Sequence, residues 1–156
     1  MRSFARLVAL PLAVLFCAAA PSVTDTSCVA TKLATHDLPL VLVNVRVNGK
    51  GPYTFFVDTG ATLTVVGTPL ARALHLPLLD APVRGIGAGG RFSARASYAT
   101  VSLGETRQER VVVGIVDLAQ IRRAVGPVDG VIGYNFLKPY RVVIDYPGRQ
   151  LCLETS

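Results

Sequence analysis

The feature that most constrains this chain is a single carboxylate placed between two apolar segments. The apolar run 55–57 leads into Asp58-Thr59-Gly60-Ala61, and apolar residues resume at Leu63. A carboxylate in apolar surroundings is costly to ionise unless neighbouring groups stabilise its charge. Glycine close after it leaves room for another backbone or a substrate to come near. The stretch therefore predicts either a functional carboxylate or an ordinary turn between two strands, because Asp and Gly are also common turn residues.

Short segments of alternating polarity dominate the chain and predict a mostly β domain. Valine stands at every second position from 41 to 47, which predicts a half-buried strand. Turn residues at 48–52 and 147–148 separate further strands and predict hairpins. Helical spacing is confined to short stretches, one opened by Thr68-Pro69 and another over 118–125. We therefore predict an all-β fold, a closed β-barrel with one or two short helices.

A glycine-rich segment, Gly85-Ile86-Gly87-Ala88-Gly89-Gly90, has the G-x-G-x-x-G spacing of a dinucleotide-binding loop. That motif requires a helix to begin at the glycines, so that the helix N-terminus meets the pyrophosphate. Residues 91–98 instead alternate with a period of two, which predicts a strand. The segment is therefore interpreted as the tip of a β-hairpin, either a flap over a cleft or a loop without function.

The first residues have the order of a cleavable signal peptide. Arg2 and Arg6 precede an apolar run over 7–16, and small residues follow at 17–20. The apolar run is short for a membrane span and is interrupted by Pro11. We expect no membrane span after this leader is cleaved.

The predicted organisation has three parts. Residues 1–20 are expected to be the signal peptide, the Ser/Thr-rich residues 21–37 a linker, and residues 38–156 a single folded domain. The protein is accordingly expected to be exported, either periplasmic or secreted. Lipidation at Cys17 remains an alternative to simple cleavage of the leader.

Export would leave two cysteines, Cys28 and Cys152, in an oxidising compartment. In the last predicted strand Cys152 shares the more polar face with Gln150 and Glu154, where a peripheral N-terminal segment could reach it. We predict a disulfide between them. The alternative is two unpaired thiols.

The composition does not favour a nucleic-acid or metal site. The formal net charge is +6, but the basic residues are scattered and Arg122-Arg123 is their single adjacent pair. Nucleic-acid-binding proteins usually carry clustered basic residues. The only histidines are His36 and His75, so neither a histidine-based metal site nor a catalytic histidine is predicted. No cofactor is expected.

Two motifs in this order resemble the retropepsin-type aspartic proteases, and the single-lobe bacterial and cellular members more than the retroviral ones. They are the hydrophobic Asp-Thr-Gly-Ala at 58–61 and Asp-Gly-Val-Ile-Gly-Tyr-Asn-Phe-Leu at 129–137, with the glycine-rich hairpin between them. The resemblance covers residues 39–154. It implies a retropepsin-like barrel with one lobe per chain.

The same resemblance implies roles for individual residues. Asp58 would be catalytic, and the segment Val131-Ile132-Gly133 would pack beneath its loop. Residues 85–91 would form the flap, a substrate-covering hairpin. The loop itself would be supported by the three residues after the carboxylate: Thr59, Gly60 and Ala61.

The chain departs from the retroviral pattern at three positions. Retroviral members carry acidic residues soon after the Asp-Thr-Gly-Ala and an arginine just after the later glycine. Here those positions hold Thr62, Leu63 and Tyr134, so both halves of that ion-pair arrangement are absent. The substrate contacts made by those acidic residues are therefore not carried over.

Peptide hydrolysis by this route needs two carboxylates that share one proton. The chain contains one Asp-Thr-Gly, and Asp129 and Asp145 fit turn or strand-end positions better. We therefore expect the second carboxylate to be Asp58 of another copy, in a homodimer that acts on a peptide or protein substrate.

The alternative function is a non-catalytic exported module that binds peptides or inhibits a protease. A purely structural β domain would leave the flap and the Val-Ile-Gly segment unexplained.

Overall fold

The computed structural model of the chain describes residues 25–34, 40–87 and 90–155. The predicted signal peptide and part of the predicted linker lie outside these residues. The strands are β1 (Thr26–Ala30), β2 (Lys32–Leu33), β3 (Val41–Val47), β4 (Lys50–Val57), β5 (Thr64–Gly67), β6 (Val83–Gly87), β7 (Gly90–Leu103), β8 (Thr106–Val116), β9 (Gly130–Ile132), β10 (Tyr140–Asp145) and β11 (Gln150–Thr155). The helices are α1 (Thr68–Ala73), α2 (Ala119–Val125) and α3 (Tyr134–Leu137).

The all-β prediction is confirmed. In β3 the alternation of valines with other residues separates buried side chains from more exposed ones. Its four valines are all nearly inaccessible to solvent, while Asn44 and Arg46 between them are exposed. Because successive side chains of a strand point to opposite faces, β3 covers the core with one face and meets water with the other. Phe55 and Phe136 are the largest fully buried side chains of this core.

The larger sheet has the strand order β2-β3-β4-β9-β5-β8-β7-β6. Strand β3 also pairs with β7, so the strands from β3 to β7 in this order return on themselves around the core. The predicted hairpins are present, including β6–β7 at the glycine-rich segment and β10–β11 at the C-terminal end.

Strand β9 positions the candidate site, because it lies between the two strands that flank Asp58. Strands β4 and β5 are joined by residues 58–63, which we name the Asp58 loop. Strand β9 lies between them, parallel to β4 and antiparallel to β5. Gly130 of β9 admits this packing, because a Cβ there would collide with the Phe55 ring and the Val65 carbonyl oxygen. One short strand therefore holds both ends of the Asp58 loop.

The smaller sheet has the order β1-β11-β10 and is antiparallel throughout. Cys28 of β1 stands directly opposite Cys152 of β11, and the two form a disulfide with a Cα–Cα distance of 4.0 Å. Within residues 21–37, expected to be a linker, the structure has two strands, β1 (Thr26–Ala30) and β2 (Lys32–Leu33). Strand β1 has little apolar periodicity of its own, and its pairing with β11 and the disulfide stabilise it.

The helices are short, and there are three of them in the described residues instead of one or two. Helix α1 begins at Thr68, as the Thr68-Pro69 pair predicts, but its N-cap is Gly67 and no side-chain cap bond is made there. Helix α1 instead owes its position to packing, since Leu70 and Ala71 are buried against the barrel. None of these helices has the length and apolar character needed to span a bilayer.

Candidate active site

Asp58 follows directly on β4, and backbone groups hold it in place. Its N–H donates to the carbonyl oxygen of Ile132 at 3.0 Å. Its carboxylate oxygen Oδ1 accepts hydrogen bonds from the N–H groups of Gly60, at 2.9 Å, and Ala61, at 3.2 Å. Hydrogen bonds from backbone N–H groups to a carboxylate are charge-assisted and therefore strong. Both N–H groups donate to Oδ1 and neither donates to Oδ2.

The residues after the carboxylate have different surroundings. Thr59 and Gly60 are exposed, whereas Ala61 is buried in a second apolar cluster with Phe56 and Val131. Gly60 lets the turn close on the carboxylate, since a Cβ at this position would lie 3.2 Å from Asp58 Oδ1. The structure thus shows how the loop is built around the carboxylate.

The segment Val131-Ile132-Gly133 is buried and lies against the Asp58 loop. The N–H of Gly133 donates to Thr64 Oγ1 at 3.2 Å, and the N–H of Tyr134 donates to the Ala61 carbonyl oxygen at 2.7 Å. A Cβ on Gly133 would collide with the carbonyl group of Leu63. Only glycine allows the backbones of the two segments to come this close.

Asn135 is a positioning residue that the sequence interpretation missed. Its Oδ1 accepts from the N–H of Thr64 at 2.7 Å, and its Nδ2 donates to the carbonyl oxygen of Val112 at 2.8 Å. Its own N–H donates to the carbonyl oxygen of Thr62 at 3.3 Å. The sequence could have indicated this role, because Asn135 is the one amide side chain in the otherwise apolar stretch that follows Gly133. A half-buried polar side chain in such a place must find partners.

The β6–β7 hairpin, which contains the predicted flap residues, and the Asp58 loop are hydrogen-bonded to each other. The N–H of Thr62 donates to the carbonyl oxygen of Ile86 at 3.0 Å, and the N–H of Ile86 donates to Thr62 Oγ1 at 2.9 Å. Gly85, Ile86 and Gly87 pair across the hairpin with Phe92, Arg91 and Gly90. The remaining predicted flap residues, Ala88 and Gly89, lie outside the described residues.

A cleft of about 570 Å³ opens beside this junction. On the loop side it is lined by Thr62. On the hairpin side its lining residues are Arg84, Gly85, Ile86, Arg91, Phe92 and Ser93. The cleft is therefore bounded by Thr62 of the Asp58 loop and by the β6–β7 hairpin.

Asp129 and Asp145, the two other aspartates considered in the sequence, make hydrogen bonds to nearby backbone that give each of them a structural role. Asp129 Oδ2 accepts from the N–H of Thr54 at 3.0 Å, and Asp129 Oδ1 lies 3.3 Å from Arg122. Asp145 Oδ1 accepts from the N–H of Gly148 at 2.9 Å in the β10–β11 turn. Across residues 25–34, 40–87 and 90–155, no group of three His, Cys, Asp or Glu could hold a metal ion.

The aspartyl protease family profile matches residues 43–136, which include Asp58, the flap and residues 131–133. The chain belongs to the aspartyl protease family. Among solved structures, this family member is similar to a retropepsin-like aspartic protease from Rickettsia conorii, with a TM-score of 0.56 and 17% identity. The match covers 85% of this chain and 94% of that one.

At 17% identity, this structural likeness shows the fold, and the predicted retropepsin-like fold is confirmed. No curated protein matches the chain. The family supports a protease.

Proposed function

We propose that the chain is an aspartic endopeptidase in which a water molecule is activated by two Asp58 carboxylates, one from each copy of a homodimer. The observation that carries this proposal is the position of Asp58. It is held by backbone hydrogen bonds in a loop that is itself bonded to a flap beside a cleft. No cofactor is needed for this chemistry.

The proposed reaction uses two carboxylates that share one proton, because like charges at close range cannot both be ionised. The ionised carboxylate takes a proton from the water, whose oxygen bonds to the peptide carbonyl carbon. The protonated carboxyl gives its proton to the carbonyl oxygen. When the C–N bond breaks, the leaving nitrogen takes the proton held by the first carboxyl. One hydroxyl of the tetrahedral intermediate gives its proton to the other carboxylate as the C=O bond re-forms, so the two acids again share one proton.

A second copy of the chain is the natural source of the other carboxylate. Asp129 and Asp145 are engaged in turns and an ion pair that fix neighbouring backbone. A two-fold axis would bring the same loop from each copy together, since closed dimers use identical surfaces on both subunits. In this assembly Asp58 Oδ1 would stay on the Gly60 and Ala61 N–H groups, and Oδ2 would face the water.

A second candidate function is a non-catalytic module that binds peptides or inhibits a protease. The observation that favours it is the combination of Thr62, Leu63 and Tyr134 in place of charged residues. The N–H and hydroxyl of Thr62 are moreover already bonded to Ile86 of the flap. A module of this kind would bind peptides without cleaving them.

We also propose that the protein is exported, periplasmic or secreted, with residues 1–20 removed and residues 38–156 forming the protease domain. The Cys28–Cys152 disulfide supports this, since such bonds persist in oxidising compartments. Mass spectrometry of the protein from its native source is the test. A mass that includes Met1 to Ala20 would contradict export with cleavage.

The function is tested by comparing the wild type with Asp58→Asn on a peptide library. Asn is nearly isosteric and keeps hydrogen-bonding capacity but cannot take the proton of the water, so cleavage should be lost while the fold remains. Asp145→Asn is a matched control, because Asp145 is an exposed turn aspartate. Equal cleavage by wild type and Asp58→Asn would refute the proposal. Peptide binding without cleavage by the wild type would favour the binding module.

A further inference from the structure

We propose that the cleft beside the Asp58 loop selects peptides that carry an acidic side chain, and that Arg84 and Arg91 make this selection. The inference rests on the proposed function and specifies its substrate class. It is carried by the charge of the cleft and by the register of the hairpin that lines it.

The register places the two arginines on one face of the β6–β7 hairpin. Arg84 pairs with Ser93, and Arg91 pairs with Ile86. Cross-strand partners share a face, so Arg84 and Arg91 are diagonal neighbours at a spacing of roughly 7 to 8 Å. Both are exposed, and both line the cleft. Two guanidinium groups can therefore meet one carboxylate or two neighbouring ones.

The hairpin holds these arginines at a fixed place relative to the Asp58 loop. The two hydrogen bonds between Thr62 and Ile86 tie β6 to the loop. Ile86 lies between the arginines in the register, since it is two residues from Arg84 and directly opposite Arg91. A peptide that reaches Asp58 along this side of the loop would pass the two guanidinium groups.

The positive charge of the cleft is not neutralised by its own lining. Of the seven lining residues, two are arginines and none is acidic. The three ion pairs of the described residues use other arginines, namely Arg107, Arg122 and Arg141. The other five lining residues are uncharged: Gly85, Ile86 and Phe92 add apolar surface, and Thr62 and Ser93 are polar. Clefts lined by one sign of charge attract ligands of the opposite sign.

The chemistry of arginine matches a carboxylate side chain. The guanidinium group presents paired N–H donors to both carboxylate oxygens and stays charged at every physiological pH. Because the two arginines are exposed, water and salt weaken each interaction, and we expect a combined preference of about 3- to 10-fold. The preference should be for glutamate or aspartate over the matching amide.

The test uses pairs of peptides, taken from library members that bind the Asp58→Asn protein, that differ by one Glu-to-Gln exchange at successive positions. Their binding to the Asp58→Asn protein is measured by fluorescence anisotropy at low and at high salt. Cleavage by the wild type is measured on the same pairs. We expect tighter binding of the Glu peptide, a preference that falls at high salt, and its loss in the Arg84→Gln/Arg91→Gln double variant.

Arg107→Gln is the matched control, because Arg107 is an exposed arginine near the opposite end of the long β7–β8 hairpin. It should keep the preference. The single variant Arg91→Glu leaves the two positions with no net charge, so it should abolish the preference, and it serves as the second variant if the double variant folds poorly. The inference would be overturned if the Asp58→Asn protein that keeps both arginines bound the Glu and Gln peptides with equal affinity. It would also be overturned if the preference survived in the double variant.

The binding arm separates this inference from the proposed function. Preferential binding of Glu peptides by Asp58→Asn, with no cleavage by the wild type, would refute the protease mechanism and support the acidic selection. Cleavage without any Glu preference would support the mechanism and overturn the selection.

Discussion

Replacing Gly133 with alanine should destabilise the protein by forcing the Asp58 loop away from the strand beneath it. A Cβ at this position would collide with the Leu63 carbonyl and lie 2.8 Å from the nitrogen of Thr64. These are backbone atoms, which cannot rotate away as the end of a side chain can. Overpacking of a core typically costs about 1 to 3 kcal/mol.

The hydrogen bonds at the same place raise this cost. The Gly133 and Tyr134 N–H groups donate to Thr64 Oγ1 and to the Ala61 carbonyl oxygen, and a shift of the segment would lengthen both bonds. Each such bond contributes about 0.5 to 1.5 kcal/mol. We therefore expect Gly133→Ala to lower the free energy of unfolding by about 2 to 6 kcal/mol. The remaining folded protein should also cleave more slowly, because the loop that carries Asp58 is displaced.

The chain offers a matched control in Gly114 of β8. A Cβ there would lie 3.7 Å from the Ala94 Cβ and 3.8 Å from side-chain carbons of Phe92 and Val65, which are ordinary contacts. Gly114→Ala should change the free energy of unfolding by less than about 1 kcal/mol. Alanine lowers the conformational entropy of the unfolded chain, and this effect stabilises the folded protein. Urea unfolding followed by circular dichroism measures both variants. Equal stability of the two variants would refute the steric reasoning.

Two further predictions concern the disulfide and the flap. Cys28 and Cys152 are 124 residues apart, so replacing both by serine should lower the free energy of unfolding by up to about 4 to 5 kcal/mol in the chain-entropy treatment. Detection of two free thiols in the unreduced, unfolded protein would rule the bond out. Thr62→Val should speed hydrogen exchange at the Ile86 amide, because its acceptor is lost, whereas Thr62→Ser should preserve protection. Unchanged exchange in Thr62→Val would show that this bond does not hold the flap.

Much of the fold was predictable because its signals are local. The alternating valines of β3 and the glycines of the β6–β7 tip each specify their own strand or turn. The signal at Asp58 is also local, because the four residues Asp-Thr-Gly-Ala supply both the carboxylate and the N–H groups that bind it.

The parts that were missed depend on distant residues. Strand β1 has a weak pattern of its own and exists through β11, at the other end of the chain. The insertion of β9 between β4 and β5 likewise depends on a close backbone approach that no local pattern encodes. Asn135 could be recognised as a positioning residue only once its partners Thr64 and Val112 were known.

The central claim is that one active site is shared by two copies of Asp58. The most direct measurement is the activity of protein coexpressed from equal amounts of wild-type and Asp58→Asn chains, with each species sized by chromatography. Random pairing in a closed two-fold dimer would leave about a quarter of the dimers with two carboxylates. We predict about a quarter of the wild-type activity per total protein, and no activity in mixed dimers isolated with two different affinity tags. Half of the wild-type activity, with monomers on the sizing column, would contradict the claim, because each wild-type chain would then carry both acids itself.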